Sequence, residues 1–200
     1  MIVIHPKDPS TKMLSLLYEG LEGVTLFDSW LQRDEICAAL AAAPKEEPVL
    51  LLGHGCPRGL FDMRYGLVIT DADAELLRDR PNLVGIWCFA SDYAFAHKLK
   101  GFFSGMFISE EPEAWVNGVD AEADEIDGKT WDFARRFGDM LRAGESLADI
   151  ARELSDARHR DSDLTRFNYS RLTWRPTGEE PLPPEWWPEE GGSSADGMNP

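Results

Sequence analysis

The sequence predicts an α/β protein with a doubly wound, mainly parallel sheet that carries helices on both faces. Short apolar runs bounded by Gly or Pro recur in the first half of the chain, for example residues 49–52 after Pro48 and residues 83–87 after Pro81. Such runs are typical of buried parallel strands. Segments with apolar residues at helical spacing lie between them, and this alternation of strand and helix is typical of a parallel sheet.

Each predicted element has its own signal in the sequence. The apolar runs predict strands at residues 2–4, 24–27, 49–52, 83–87 and 102–108. Residues with capping side chains or helical spacing predict helices that begin at Ser10 or Thr11, at Asp28 or Ser29, at Thr70 and at Tyr93. Thr70 is followed three residues later by Asp73, which is a capping-box pattern. The stretch 58–70 is expected to form a hairpin on the rim of the sheet.

The second half of the chain is expected to be mainly helical. Apolar residues recur at helical spacing over residues 131–141, and Ser146 with Asp149 opens a further helix. Residues 167–174 alternate loosely, which indicates an edge strand. We therefore expect a single domain over residues 1–175. Pro, Gly, Glu and Ser dominate residues 176–200 and predict a disordered tail, in which the Trp186-Trp187 pair is the exception.

The charge balance bears on the partners that this chain can have. Its 200 residues include 36 acidic and 20 basic side chains, for a net charge of −16. Nucleic acids and anionic membranes need a basic surface, so neither is expected as a partner. No apolar stretch approaches the roughly 18 residues of a membrane span. The start of the chain resembles a strand rather than a signal peptide.

An odd count of three cysteines favours free thiols and a reducing compartment, so a cytoplasmic protein is expected. The sequence carries no signal of oligomeric state.

Two of the predicted strands are followed directly by residues that can do thiol chemistry. His54 comes after residues 49–52, and Cys88 comes after residues 83–87. The carboxyl ends of parallel strands meet at one edge of the sheet, where ligands bind. A thiolate attacks carbonyl carbon, an imidazole can take the thiol proton, and backbone N–H groups, here of Gly55 and Cys88, can hold the oxyanion. The alternative is that Cys88 is a small buried side chain and His54 a turn residue.

The order of these elements resembles the caspase-like peptidases, a group that includes caspases, gingipains, separases and CHAT domains. Residues 48–55 match the strand that carries the family histidine, residues 59–66 resemble the hairpin after it, and residues 80–88 resemble the strand that carries the cysteine. The resemblance covers residues 1 to about 110 in the order of elements. It implies a cysteine endopeptidase that uses a His54–Cys88 dyad on a protein or peptide substrate, without a metal or other cofactor.

The residues around Cys88 depart from the family pattern. Trp87 stands directly before the cysteine, where the family usually has a small residue, and Phe89-Ala90 follows it. A bulky indole at this position could fill a substrate pocket. The alternative function is therefore a non-catalytic relative that binds a protein or peptide in the same crevice.

Other polar residues near the predicted crevice have several interpretations. Four side chains that flank it are candidate substrate contacts: Arg58, Arg64, Trp87 and Asp92. Cys56 could act as a redox lock, or as a zinc ligand with His54, Cys88 and His97, but an inert loop thiol is favoured and no metal site is expected. Asp71 and Asp73 could hold Mg²⁺ in a phosphotransfer enzyme, although the same residues serve as helix caps.

Overall fold

A mainly parallel sheet forms the centre of the structure, a computed structural model that describes residues 1–29, 32–64 and 66–179. The strands are β1 Ile2–Ile4, β2 Thr25–Phe27, β3 Val49–Leu52, β4 Gly55–Cys56, β5 Gly59–Phe61, β6 Leu67–Thr70, β7 Leu83–Ile86, β8 Gly101–Ser104 and β9 Leu172–Arg175. The α-helices are α1 Arg33–Ala42, α2 Ala74–Leu77, α3 Ala90–Ala96, α4 Glu111–Val116, α5 Ala123–Arg142, α6 Leu147–Leu154 and α7 Asp163–Ser170. Short 3₁₀ helices cover Pro9–Leu17, Asp71–Asp73 and Ala157–His159.

Six of these strands form the central sheet in the order β2-β1-β3-β7-β8-β9. All neighbouring strands run parallel except β9, which is antiparallel to β8. The predicted α/β class with a mainly parallel sheet is therefore confirmed. Within the stretch 58–70, β5 and β6 pair antiparallel as expected of a hairpin, and β4 adds a third strand to make a separate sheet.

Helices cover both faces of the sheet, because the side chains of each strand alternate between two apolar layers. On one face α1, α2 and α3 pack against strand residues that include Ile4 and Leu51. On the opposite face the first 3₁₀ helix, α5 and α6 pack against strand residues that include Leu50 and Val84. Because successive side chains point to opposite faces, a residue two positions beyond the last strand residue is directed to the same layer as that residue.

Some element boundaries differ from the expected ones for identifiable reasons. The first helix is 3₁₀ rather than α, and Asp8 caps it through the Ser10 N–H. Strand β8 ends at Ser104, since the chain turns away where the Gly105 N–H donates to the Arg171 carbonyl. The region expected to be an edge strand at 167–174 is divided between the end of α7 and β9.

The last part of the chain is described only as far as Glu179. The Arg175 guanidinium donates to the Gly178 carbonyl, and Gly178 lies against the backbone of Lys98. Most of the expected tail, including Trp186 and Trp187, lies outside the described residues. None of the described helices combines the length and the hydropathy needed to cross a bilayer.

Candidate functional site

Strand register brings His54 and Cys88 to the same edge and the same face of the sheet. Leu52 of β3 pairs with Ile86 of β7, and His54 and Cys88 each lie two residues further along the chain. Both side chains line one narrow pocket of about 10 Å³ beneath the first 3₁₀ helix. This volume holds at most about one water molecule, so the pocket is closed to a larger ligand.

Unusual backbone conformations surround both residues. Gly53 has φ = +137°, a value open to glycine, and its N–H donates to the Ile86 carbonyl at 3.0 Å. This turn directs the chain from β3 into β4. Phe89, directly after Cys88, has φ = +70°, which is strained for a residue with a side chain. Its N–H donates to the Gly105 carbonyl at 3.1 Å, which anchors the turn between β7 and α3.

The Cys88 thiol is held in its protonated form. Its Sγ donates to the Phe107 carbonyl at 3.5 Å and lies 3.7 Å from Oε1 of Glu113. Burial is the main cause that raises the pKa of Cys88 to about 12, and the Glu113 carboxylate adds to the effect. This direction is opposite to the one expected of an activated cysteine. Across the described ranges, no hydrogen bond joins Cys88 to His54.

His54 is engaged by two residues that follow β1. Its Nε2 lies 2.7 Å from the Ser10 hydroxyl, and that hydroxyl lies 2.6 Å from Oδ1 of Asp8. The Asp8 carboxylate itself is 3.7 Å from the His54 ring. Burial would raise the pKa of Asp8, but hydrogen bonds from Ser10 and the nearby imidazole hold it below its ordinary value. The His54 side chain keeps 26% of its surface exposed, so solvent reaches this cluster.

Trp87 belongs to the core rather than to a substrate-binding surface. Its side chain is 1% exposed and packs in the layer of α1, α2 and α3. Its Nε1–H donates to the Cys56 carbonyl at 3.1 Å. The indole lies so close to Gly55 that a Cβ there would be 2.2 Å from Trp87 Cδ1. The expected contact between Trp87 and a substrate is therefore corrected, because no indole surface is available.

The expected oxyanion donors are the N–H groups of Gly55 and Cys88. Gly55 lies in β4, directly after His54, and Cys88 lies between β7 and α3. Cys88 lines the pocket, and Gly55 directly follows His54, which also lines it.

The charged candidates lie around the rim. Arg58 is exposed and pairs with Asp71 at 3.5 Å. Arg64 lines a separate, wider cleft of about 610 Å³ that also includes Lys7 and Asp28. Asp92 lies in the first turn of α3, where burial raises its pKa.

The acidic residues considered for metal binding have other partners. Asp71 binds His97 at 2.9 Å, a contact that lowers the Asp71 pKa. Asp73 is buried, caps the helix start at Thr70 and pairs with Arg33 at 2.6 Å. In the part of the chain that the structure describes, no three His, Cys, Asp or Glu side chains are grouped to hold a metal ion.

His5, at the end of β1, has a structural role. It is 4% exposed, and burial lowers its pKa to about 4, so the ring is neutral near pH 7. Its Nε2 lies 3.2 Å from the Thr11 carbonyl and its Nδ1 lies 3.0 Å from the Tyr18 hydroxyl. A carbonyl only accepts, so Nε2 carries the proton and Nδ1 accepts from Tyr18.

Sequence reasoning missed four residues of the site: Asp8, Ser10, Phe107 and Glu113. A signal existed for the first two, because they follow β1 and β1 is the neighbour of β3. No such signal pointed to Phe107 or Glu113, which reach Cys88 through the path of the loop after β8.

No family model, curated protein or solved structure matches this chain at a significant level.

Proposed function

We propose that this chain is a caspase-like cysteine peptidase in which Cys88 is the nucleophile and His54 the acid–base. The observation that carries the proposal is the shared position of the two side chains, which follow paired residues of neighbouring parallel strands and line one pocket. The antiparallel sheet between His54 and β7 supports the proposal, because the resemblance implies a hairpin in this part of the chain.

The proposed reaction proceeds through a thioester. His54 takes the proton of the Cys88 thiol, and the thiolate attacks the peptide carbonyl carbon. The C–N bond then breaks, and His54 returns the proton to the leaving amine. A water molecule, deprotonated by His54, hydrolyses the thioester and releases the acid and the free thiol. Backbone N–H groups of Gly55 and Cys88 are the proposed oxyanion donors.

The described structure is a resting state in this proposal. The thiol must leave the Phe107 carbonyl and the Glu113 carboxylate before it can meet His54. The pocket must also widen, since about 10 Å³ cannot admit a peptide. Catalytic hydrogen bonds that form only in the substrate complex are common among enzymes.

A second candidate is a non-catalytic domain that binds a protein or peptide. The specific observation in its favour is the raised pKa of Cys88, about 12, which leaves almost no thiolate at neutral pH. In this case the closed pocket would be permanent and the partner would bind on the surrounding rim.

A peptide electrophile distinguishes the two functions. We expect a panel of peptidyl acyloxymethyl ketones to label Cys88 in the wild-type protein, as read by peptide mass spectrometry. His54→Ala should slow the labelling about a hundredfold, which is typical for loss of a general base. The other two free thiols, Cys37 and Cys56, serve as internal controls, because their labelling reports nonspecific reaction with the electrophile. His97→Ala is the matched control, because His97 binds Asp71 and does not line the pocket.

Two results would overturn the peptidase proposal. One is an inert Cys88 together with no cleavage across a diverse peptide library. The other is labelling that proceeds equally fast in His54→Ala. The second candidate would be established if the wild type binds peptides without cleaving them and Cys88→Ala binds them with the same affinity.

A further inference from the structure

We propose that Asp8 and Ser10 are positioning residues that fix the tautomer and orientation of the His54 ring. The inference rests on the proposed function for its catalytic meaning, but the arrangement itself can be tested without activity. It is carried by a chain of short contacts from the Asp8 carboxylate through the Ser10 hydroxyl to His54 Nε2.

Counting donors and acceptors sets the direction of these hydrogen bonds. An ionised carboxylate can only accept, and a serine hydroxyl has one hydrogen. Both the N–H and the hydroxyl of Ser10 point to Oδ1 of Asp8, at 2.9 Å and 2.6 Å. With its hydrogen given to Asp8, the Ser10 oxygen can only accept at its 2.7 Å contact with His54. Nε2 of His54 therefore carries the proton.

This tautomer has a direct chemical consequence. When Nε2 is protonated in a neutral imidazole, the lone pair is on Nδ1. No hydrogen bond to Nδ1 of His54 is present within the described residues, so this nitrogen is available as a base. After it takes a proton from a thiol, the ring is positive and lies 3.7 Å from the Asp8 carboxylate. Asp8 then stabilises the charged ring.

The fold holds these three residues, Asp8, Ser10 and His54, in place, and we call them the relay. β1 and β3 are hydrogen-bonded neighbours, and Asp8 and His54 follow their ends. Asp8 is also the cap of the first 3₁₀ helix, which fixes the carboxylate against Ser10. The neighbouring Lys7 N–H donates to the Asp28 carbonyl at 3.0 Å. A ring oriented by such a framework needs little rearrangement during a reaction.

Helix capping alone does not account for these contacts. Capping requires only that Asp8 accept the Ser10 N–H. The chain offers a comparison after β2, where the Ser29 hydroxyl donates to Asp28 at 2.9 Å. Asp28 there pairs with Lys7 instead of serving a histidine. The Asp28–Ser29 pair is therefore a matched control for the Asp8–Ser10 pair.

The test is a long-range ¹H–¹⁵N correlation spectrum of histidine-labelled protein at alkaline pH, which separates the two tautomers. The signal of His54 is assigned by its loss in His54→Gln. We expect the Nε2–H form in the wild type, and a clear rise of the Nδ1–H form in Asp8→Ala. This substitution removes the carboxylate that accepts from the Ser10 hydroxyl, so the hydroxyl hydrogen can turn toward His54 Nε2. Asp28→Ala and Ser29→Ala should leave the spectrum of His54 unchanged.

A kinetic measurement connects the relay to the proposed peptidase. Labelling of Cys88 by the peptide electrophile should slow at least about tenfold in Asp8→Ala, because a catalytic histidine in the wrong tautomer is a poor base. Asp28→Ala should label at the wild-type rate.

The relay is overturned if the wild type shows the Nδ1–H form, if Asp8→Ala leaves the tautomer unchanged, or if a fluorophosphonate modifies Ser10 as a nucleophile. A relay present in the spectra with Cys88 inert in every protein would support the relay and refute the peptidase.

Discussion

Cys88 has neighbours with opposite effects on its proton. The Glu113 carboxylate keeps the hydrogen on sulfur, whereas His54, which follows the neighbouring strand β3, could remove it. Burial favours the neutral thiol in addition. The balance at this one residue therefore decides whether the pocket is reactive.

Replacing Glu113 tests how much of that balance is electrostatic. Glu113→Gln removes a negative charge near the sulfur, so the pKa of Cys88 should fall and its thiolate fraction should rise. We expect alkylation by iodoacetamide at neutral pH to accelerate roughly tenfold, which corresponds to one pKa unit. The pH at which the rate levels off should move downward. The measurement is the labelling rate of Cys88 across an alkaline pH series.

Glu111→Gln is the control for this substitution. It removes the same charge from α4 but does not contact Cys88. Glutamine at 113 keeps one oxygen that can accept the Ser109 N–H, which Glu113 does at 2.7 Å. Equal rates in Glu113→Gln and the wild type would show that burial alone sets the thiol pKa.

Part of the site could be predicted from individual residues. His54 and Cys88 follow apolar strands, and parallel strand ends meet at one edge, so their proximity follows from sequence. The contacts of Ser10 and Glu113 do not, because each depends on how a loop returns across the sheet. The sequence does not predict the raised pKa of Cys88 either, because the burial of this thiol depends on those same loops.

At the scale of single elements, α5 has two glycines with different surroundings. Gly138 faces the first 3₁₀ helix so closely that a Cβ would lie 2.0 Å from the Leu16 carbonyl oxygen. Gly128, in the same helix, is exposed and has no atom within 4 Å of an added Cβ. The absence of a side chain therefore matters for packing at only one of the two positions.

Alanine at these positions should have opposite effects on stability. Gly138→Ala forces α5 away from the 3₁₀ helix and should lower the free energy of unfolding by about 2 kcal/mol, in the range of overpacked cores. Gly128→Ala should raise it by about 0.5 to 1 kcal/mol, because glycine loses more backbone entropy in a helix. Urea denaturation of both variants and the wild type measures the differences. A neutral Gly138→Ala would contradict the close approach of these helices.

The sequence predicts whether an element is a strand or a helix where the apolar run is short and has Gly or Pro beside it. The central strands β1, β3 and β7 lie where Gly- and Pro-bounded runs predict them. The region 167–174 was harder, because its loose alternation is also compatible with the end of a helix. The Ser162 hydroxyl accepts from the Thr165 N–H and starts α7, a local bond that outweighs the strand pattern.

At the scale of the whole molecule, charge is the dominant surface property. A net charge of −16 at pH 7 means that the folded chain repels itself. A few of the acidic side chains have basic partners three or four residues away on the same helix, as in α5 and α7. Such exposed pairs contribute little individually, so the excess of negative charge is expected to prevail.

Salt should therefore stabilise this protein. Raising sodium chloride from about 10 to about 200 mM shortens the screening length below the spacing of many surface charges. We expect the melting temperature to rise at neutral pH and to respond much less near pH 5, where the net charge is smaller. Potassium chloride should act like sodium chloride if the effect is screening. A fall in melting temperature with salt would show that ion pairs outweigh the repulsion.

The antiparallel strand β9 has a consequence for how the chain is made. It completes the sheet beside β8, yet α4, α5, α6 and α7 lie between the two in sequence. During synthesis, β8 therefore exposes an open hydrogen-bonding edge until residues 172–175 leave the ribosome. Open strand edges recruit other chains, and distant pairings form slowly. The nascent chain thus passes through a stage in which it is most exposed to aggregation, and the short β9 ends that stage.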